Sequence, residues 1–247
     1  MTDIDRTYTQ QQADSYDQIR FESNGGRWTH ENELGIIKQP MNDLPPQANV
    51  LEVGCGTGRL LIELARDGHI VHGIDPSKWM LDVLRDKFNA SSIDVECHEA
   101  RAETIPYPDG KFDYVFAIRV ISLAMTEENL DRWMGEMFRV LKPGGKCLVG
   151  MLAYYRLRYR PTPRTVMNIR PHALHEIARH HGGDLNWFRG GFFFGLPLYL
   201  KLPPVAVRML GPVDGVLSRL LPFLANQNYA LYGSREAGSQ DESKSSP

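Results

Sequence analysis

The sequence predicts a doubly wound α/β fold, in which a mostly parallel sheet is covered by helices on both faces. Two observations predict it: short apolar runs alternate with amphipathic stretches of helical period, and this change of period repeats along most of the chain. Alternation of strand and helix builds a parallel sheet with right-handed crossovers. A helical bundle or a β-sandwich would keep a single period, so neither fits.

The alternation is clearest before residue 153. The predicted strands there are 49–53, 70–74, 93–97, 113–118 and 146–152. Ser77 and Thr126 are predicted to cap the helices that follow them, because their side chains can accept hydrogen bonds from free backbone N–H groups. The bulky apolar residues in succession over 113–118 are typical of a strand that is buried on both faces.

The second half of the chain is predicted to add a helix over 171–181 and strands over 184–189 and 226–233. Between the last two strands lies an apolar stretch, 191–225, which prolines and Lys201 interrupt too often for a transmembrane helix. We interpret this stretch as an inserted cap over the pocket, with an amphipathic helix over 212–224. Ordinary core packing or a homodimer contact explains the same residues equally well.

Composition and charge exclude several classes of protein. Apolar residues make up 42% of the chain, enough to bury a core. The tail 234–247 is predicted to be disordered, and the first dozen residues have a similar composition. The net charge of −2 argues against a globally basic nucleic-acid binder. Three widely spaced cysteines, Cys55, Cys97 and Cys147, indicate neither a disulfide framework nor a metal site. The polar, acidic start is unlike a signal peptide, so we expect a reduced, cytoplasmic enzyme.

The most informative motif is Val50-Leu-Glu-Val-Gly-Cys-Gly-Thr-Gly58, in which a predicted strand runs directly into three glycines and a helix follows. Glycine lets the backbone turn tightly and approach a ligand closely, and a helix start offers free N–H groups. Asp75 ends the next predicted strand, where a carboxylate can accept hydrogen bonds from both hydroxyls of a ribose. Because ligands bind at the carboxyl ends of such strands, the pattern predicts a site for a nucleoside-containing cofactor.

The spacing of the glycines separates two classes of cofactor. A dinucleotide site needs glycine at the sixth place of G-x-G-x-x-G, and counting from Gly54 that place is Arg59. An NAD-dependent oxidoreductase is therefore disfavoured.

The stretch from Asn49 to Leu152 resembles the class I S-adenosylmethionine-dependent methyltransferases, and within them the small-molecule branch of ubiquinone and menaquinone biosynthesis. The motifs that carry the resemblance follow in order: Glu52-Val-Gly-Cys-Gly-Thr-Gly58, Gly73-Ile-Asp-Pro-Ser77, Ala102-Glu-Thr-Ile-Pro-Tyr-Pro-Asp-Gly-Lys-Phe-Asp113 and Arg139-Val-Leu-Lys-Pro-Gly-Gly145. The resemblance implies a Rossmann-like, S-adenosylmethionine-binding domain. We assign this domain to 45–190 and 226–233, with a helical lead-in or lid over 1–44.

The resemblance also implies which residues bind the cofactor. The methionine part would be held by Glu52, Gly54, Cys55, Gly56 and Gly58, the ribose by Asp75, and the adenine by Pro76, Ser77, Ala102 and Glu103. Many relatives have an aspartate just before the Ala-Glu pair, but this chain has Arg101, which offers no acceptor to the adenine amino group. Either the backbone or Glu103 replaces it, or adenine binds more weakly; Arg101 is equally well read as a solvated surface residue.

The predicted activity is transfer of a methyl group from S-adenosylmethionine to a small organic acceptor by in-line displacement. The cofactor supplies the reactive chemistry and the protein positions the nucleophile, so no fixed triad is expected. The resemblance suggests that Tyr16 folds over the cofactor and that Arg119 and Ser122 line the acceptor pocket. An ordinary lead-in helix would explain Tyr16 as well, and a structural ion pair would explain Arg119.

The second half of the chain gives clues to the chemistry of the acceptor. From Met137 to His175 there is no acidic residue, and Arg156, Arg158 and Arg160 would share a face if that segment were extended. With the apolar cap, this favours an acidic or apolar acceptor. A solvated basic face and an RNA methyltransferase are alternatives. A catalytically silent cofactor-binding scaffold or regulatory subunit is a further alternative, because no base candidate stands out.

Overall fold

The structure is a computed structural model that describes residues 8–154, 166–194, 198 and 202–236. The strands of its sheet are β1 (Asn49–Val53), β2 (Ile70–Asp75), β3 (Glu96–Glu99), β4 (Phe112–Ile118), β5 (Leu141–Leu152), β6 (Gly183–Gly191) and β7 (Gln227–Ser234). The α-helices are α1 (Gln10–Asp14), α2 (Tyr16–Phe21), α3 (Asn24–Lys38), α4 (Leu61–Arg66), α5 (Lys78–Ala90), α6 (Glu127–Arg139), α7 (Pro171–His180) and α8 (Pro204–Leu220).

The seven strands form one sheet in the order β3-β2-β1-β4-β5-β7-β6. The first five strands of the chain pair in parallel, and β7 runs antiparallel to both β5 and β6. The predicted mostly parallel α/β fold is thereby confirmed. The strand order reverses between β1 and β4, so the carboxyl ends of these two strands flank a crevice of the kind in which doubly wound proteins bind ligands.

The sheet is covered on both faces. All seven residues of β4 are buried, as its continuous apolar sequence predicts for a central strand. One apolar cluster joins the sheet to α6 through Trp133, Met134 and Met137. A second cluster joins the opposite face to α4 and α5, with Leu61 and Leu84 fully buried. The two clusters hold the strand ends, and therefore the crevice, in a fixed position.

The caps predicted from sequence are present. The Ser77 hydroxyl accepts a hydrogen bond from the Met80 N–H at 3.4 Å, and the Thr126 hydroxyl accepts one from the Asn129 N–H at 3.1 Å. The third strand, however, begins at Glu96 and not at the predicted residue 93. Ser92 has a left-handed backbone, φ +52°, and the Ile93 N–H donates to the Phe88 carbonyl, so residues 92 and 93 complete the end of α5.

The helix predicted over 212–224 is also placed differently. Helix α8 begins at Pro204 and continues through Pro212 to Leu220. Its predicted apolar side is exposed, because polar side chains on the opposite side are buried against the turn that follows β6. None of the helices in the described part of the chain combines the length and apolar character needed to cross a bilayer.

Two predictions concern segments that the structure describes only partly or not at all. The arginines at 156, 158 and 160 lie outside the described residues. Of the tail predicted to be disordered, Ser234 is the last residue of β7, and the Arg235 side chain forms an ion pair with Asp184 at 2.9 Å. Residues 237–247 lie outside the described part of the chain.

Candidate functional site

A cavity lies at the carboxyl ends of β1, β2 and β4. Its volume of about 250 Å³ far exceeds the roughly 10–15 Å³ that a single water requires, so it has room for an organic molecule. The cavity is lined by Tyr8, Tyr16, Phe21, Glu52, Val53, Gly54, Cys55, Gly56, Thr57, Arg59, Leu60, Ile74, Asp75, Pro76, Ser77, Met80, Ala100, Arg101, Ala102, Glu103, Ile118, Arg119, Val120, Leu123 and Trp133. This set contains nine of the ten cofactor-binding residues predicted from sequence; the exception is Gly58.

The glycine loop after β1 is fixed by its own backbone. The N–H groups of Gly54 and Cys55 both donate to the carbonyl of Ile74, at 2.8 and 3.0 Å. Gly56 has a left-handed φ of +53°, and a Cβ built on it would meet only open space. Gly58 has a φ of +71°, but there a Cβ would come within 2.7 Å of the Leu84 side chain. Gly56 therefore opens towards a ligand, whereas Gly58 lets the loop pack against α5.

Asp75 joins the end of β2 to this loop. Its Oδ2 accepts a hydrogen bond from the Gly56 N–H and its Oδ1 accepts one from the Ser77 N–H, both at 2.9 Å. Burial raises the pKa of the carboxyl group, and the two backbone donors partly offset that rise. Since each carboxylate oxygen has a second lone pair, Asp75 can still accept hydrogen bonds from two hydroxyl groups of a ligand.

Glu52 is the second acidic residue that lines the cavity. Only 4% of the residue is exposed, and its Oε2 has no hydrogen-bond partner within the described chain. Burial raises the pKa of this carboxyl group well above its ordinary value. A buried acceptor of this kind is costly unless a cation or a donor joins it, so the site fits a ligand that carries a positively charged N–H group.

Another buried carboxylate, that of Glu33 on α3, lies behind the cavity wall, and both of its oxygens accept hydrogen bonds. Its Oε1 accepts from Arg119 at 2.6 Å and its Oε2 accepts from Arg59 at 2.7 Å. The Phe21 ring lies against both guanidinium groups, 4.0 Å from that of Arg59 and 5.7 Å from that of Arg119. Arg119 itself has a left-handed φ of +64° directly after β4. This cluster braces α3, the glycine loop and the end of β4 against one another.

This brace of Glu33, Arg59, Arg119 and Phe21 is not predicted from sequence. Arg59 stands out there only as a departure from the dinucleotide pattern, and neither Glu33 nor Phe21 is singled out. No local signal marks them, because the partners of Glu33 lie 26 and 86 residues away along the chain. Tyr8, which packs edge-on against Tyr16 at 5.4 Å between ring centroids, also lies outside the predicted site residues.

The residues predicted from sequence to bind adenine also line the cavity. Arg101 is exposed at its rim, and Ala102 and Glu103 continue the wall. Trp133 of α6, which the sequence analysis assigned only to the helix core, lines the cavity as well. Its indole Nε1 is buried without a hydrogen-bond partner in the described part of the chain. The indole is thus a donor available at this end of the site.

The structure separates the three residues predicted to act on the acceptor. Tyr16 and Arg119 line the cavity, whereas Ser122 does not. The Ser122 hydroxyl is buried and accepts a hydrogen bond from the Leu152 N–H at 3.2 Å, and its carbonyl accepts one from the Met167 N–H at 2.6 Å. Ser122 therefore ties the turn after β4 to the end of β5. Within the described residues, no group of three or more His, Cys, Asp or Glu side chains is arranged to hold a metal ion.

Comparison with known proteins identifies relatives of part of the chain. Residues 50–145 match the family described as a methyltransferase domain. The ubiquinone/menaquinone biosynthesis C-methyltransferase UbiE of Vibrio vulnificus is 38% identical over 113 residues, which cover 42% of this chain and 41% of the relative. The demethylmenaquinone methyltransferase of Symbiobacterium thermophilum is 30% identical over 143 residues, covering 54% and 53%. The match thus spans about half or less of these relatives.

Solved structures resemble the chain over most of its length. The [4+2]-cyclase SpnF superposes with a TM-score of 0.66 at 21% identity, covering 94% of this chain and 97% of that one. An S-adenosylmethionine-dependent methyltransferase from Clostridium acetobutylicum gives a TM-score of 0.66 at 14% identity, covering 91% and 98%. At these identities the likeness establishes the fold. Since a cyclase shares it, the activity has to be argued from the site.

Proposed function

We propose that this chain, whose residues 50–145 form a methyltransferase domain of the class I S-adenosylmethionine-dependent family, transfers the methyl group of S-adenosylmethionine to a small organic acceptor. The observation that carries the proposal is the geometry of the glycine loop, where Asp75 accepts from Gly56 and the buried Glu52 Oε2 has no hydrogen-bond partner among the described residues. The cofactor supplies a methyl group that its sulfonium activates for in-line displacement.

In this proposal each end of the cofactor has its own residues. The Glu52 carboxylate would bind the ammonium group of the methionine part, which is the cation that its buried oxygen lacks. Asp75 would accept hydrogen bonds from the ribose hydroxyls. The backbone of the glycine loop would pass along the methionine part, and the adenine would lie against Pro76, Ser77, Ala102 and Glu103, with the Trp133 indole as an additional donor.

The N-terminal segment 1–44 would act as a lid. Its Asp17 carboxylate bridges to the glycine loop and to α5, accepting from the Thr57 hydroxyl at 2.7 Å and from the Lys87 ammonium at 2.6 Å. Tyr8 and Tyr16 then close the cavity from above the loop. These contacts support a lid that excludes water from the transfer step, which favours displacement by the acceptor over side reactions.

The acceptor would enter beside Arg119. This guanidinium uses its Nε and Nη2 groups on Glu33 and carries three further N–H groups, while Ile118, Val120 and Leu123 make the adjoining wall apolar. The combination supports an acceptor with an anionic oxygen on an apolar body. For such an acceptor the protein needs to position the nucleophile and needs no strong general base. A homodimer and a cytoplasmic location stay predictions.

The proposal is tested in two steps. Calorimetry should detect binding of S-adenosylmethionine by the wild type and by Asp86→Ala, an exposed control on α5, but at least about tenfold weaker binding by Asp75→Ala. Cofactor labelled on the methyl group should then label a small molecule in a metabolite extract.

Three outcomes would count against the proposal. Equal binding by Asp75→Ala and the wild type would exclude the site. Binding without any labelled product would favour a catalytically silent scaffold. Stabilisation by NADH with no response to S-adenosylhomocysteine would favour an oxidoreductase.

A further inference from the structure

Helix α8, which lies between β6 and β7, presents an apolar stripe to solvent. The exposed fractions are 70% for Val205, 71% for Met209, 49% for Val213, 55% for Val216 and 69% for Leu220. The stripe continues past the helix into Phe223 and Leu224, which are 47% and 54% exposed. These spacings of three and four residues follow a single side of the helix. The stripe is therefore a continuous surface and not a scatter of unrelated apolar residues.

The opposite side of α8 is polar and buried, which fixes the orientation of the helix. The Asp214 carboxylate accepts hydrogen bonds from the N–H groups of Phe193 and Phe194, at 3.1 and 3.0 Å. The Ser218 hydroxyl accepts a second bond from the Phe193 N–H at 3.1 Å and donates to Asp214 at 3.2 Å. Because a buried carboxylate cannot lose these donors without a large cost, the helix cannot rotate to bury its apolar stripe.

Close packing at a glycine fixes the same orientation. A Cβ on Gly211 would lie 2.9 Å from the indole nitrogen of Trp28 on α3, so the helix approaches its neighbour by its backbone at this point. Both features give α8 the reverse of the usual arrangement in a globular protein, where the apolar side of a surface helix is buried.

The exposed charges on α8 itself are both positive. Arg208 and Arg219 are exposed on α8, and Asp214, the one acidic residue of the helix, is buried. Arg189 on the adjoining strand β6 stacks on Trp187 at 4.3 Å, and its interaction with Arg219 is repulsive. An apolar stripe with arginines beside it matches a surface that is apolar within and negatively charged at its boundary.

We propose that α8 and the adjoining residues 223–224 dock the protein on an anionic lipid bilayer, with the helix axis parallel to the membrane surface. The apolar stripe would enter the boundary of the acyl chains, and the arginines would contact lipid phosphates. A second copy of the chain is the poorer occupant, because symmetric pairing would bring the arginines of both copies together without an exposed acid on the helix to offset them. The inference goes beyond the proposed function and does not depend on it.

Vesicle flotation with the full chain tests the proposal. The wild type is expected to float with vesicles of phosphatidylcholine and phosphatidylglycerol and to bind pure phosphatidylcholine much more weakly. Replacing the two α8 arginines, Arg208→Glu with Arg219→Glu, should weaken binding by about fivefold or more per arginine. Val216→Glu in the stripe should weaken it by about tenfold. Ile70→Glu is the matched control, since Ile70 is 48% exposed on β2, outside the stripe.

Several results would overturn the proposal. The wild type could fail to bind the anionic vesicles, or it could bind neutral and anionic vesicles equally. Equal binding by Val216→Glu and Ile70→Glu would also contradict the proposal. A dimer in light scattering that Val216→Glu dissociates would assign the stripe to a contact between copies instead. Thermal unfolding of each variant verifies that it is folded, and Met209→Glu provides a second stripe variant if Val216→Glu is not.

Discussion

Two glutamates at the same crevice are both buried but have opposite surroundings. Glu33, behind the cavity wall, has arginines on both carboxylate oxygens. Glu52, beside the glycine loop, retains an oxygen without a partner in the described part of the chain. The protein compensates the first carboxylate itself and leaves the second to a ligand. The comparison teaches that, of two buried acids, the unsatisfied one marks the place where a cation is to be bound.

The difference has a consequence for stability. A buried ion pair contributes little net free energy when both partners are present, but removal of one partner leaves an uncompensated charge. Removal of the Glu33 charge would leave the charges of Arg59 and Arg119 uncompensated in this way. Glu52 has no hydrogen-bonded cation of this kind among the described residues, so its removal should affect the ligand and not the fold. Substitution of each glutamate by glutamine separates the two roles.

The largest effect is expected for Glu33→Gln. The change would leave two largely buried guanidinium groups with a neutral acceptor, and the free energy of unfolding should fall by about 3–5 kcal/mol. Urea unfolding measures this loss. Glu31→Gln, which alters an exposed residue of the same helix, is the control and should change stability by less than about 0.5 kcal/mol. A similar small loss for both variants would contradict the assignment of Glu33 as a brace.

A smaller effect, on binding, is expected for Glu52→Gln. Loss of a charge-assisted hydrogen bond should weaken the affinity for S-adenosylmethionine by about 1.5–3 kcal/mol, or roughly 10- to 150-fold. The unfolding free energy of the free protein should not fall, because glutamine is uncharged at every pH and Glu52 Oε2 has no hydrogen-bond partner among the described residues to lose. Calorimetry and urea unfolding measure the two quantities on the same preparation. Unchanged affinity with reduced stability would reverse the roles of the two glutamates.

The pH dependence of stability should show the smallest effect. Burial raises the pKa of Glu52 above its ordinary 4.5, so the folded protein binds more protons than the unfolded chain between the two values. The contribution of Glu52 is fully present below pH 4.5 and is lost as the pH rises through the folded-state pKa. The unfolding free energy of Glu52→Gln should lack this decline, with a difference in slope of up to about 1.4 kcal/mol per pH unit. Parallel pH profiles for the two proteins would contradict the burial of an ionisable, unpartnered group.

The glycine loop and the position of Asp75 beside it could be predicted from sequence because their signals are local. Strand β1 was predicted at its observed limits, and the three glycines and Asp75 follow directly from the ends of β1 and β2. Motifs of this kind depend on backbone conformation within a few residues. The prediction therefore needed no knowledge of how distant segments pack.

The part of the cavity around Arg119 could not be predicted to the same extent, because distant segments build it. Arg119 and Ser122 were equal candidates, and only the path of the chain after β4 brings Arg119 to the cavity and ties Ser122 to β5. For α8 the sequence pattern identified the apolar side of the helix but could not show that this side is exposed. The buried bonds of Asp214, which determine that orientation, link residues about twenty positions apart.

The most direct test of the central claim is the number of protons exchanged when S-adenosylmethionine binds. Burial raises the pKa of Glu52 well above 4.5, so the free protein keeps this carboxyl group protonated over a range above pH 4.5. If Glu52 binds the methionine ammonium as a carboxylate, binding should release a proton from it in that range. Calorimetry in buffers of different ionisation enthalpy measures this number, and Glu52→Gln provides the reference in which Glu52 contributes nothing. The account predicts a larger proton release for the wild type than for Glu52→Gln. Equal proton exchange, or equal affinity, would contradict it.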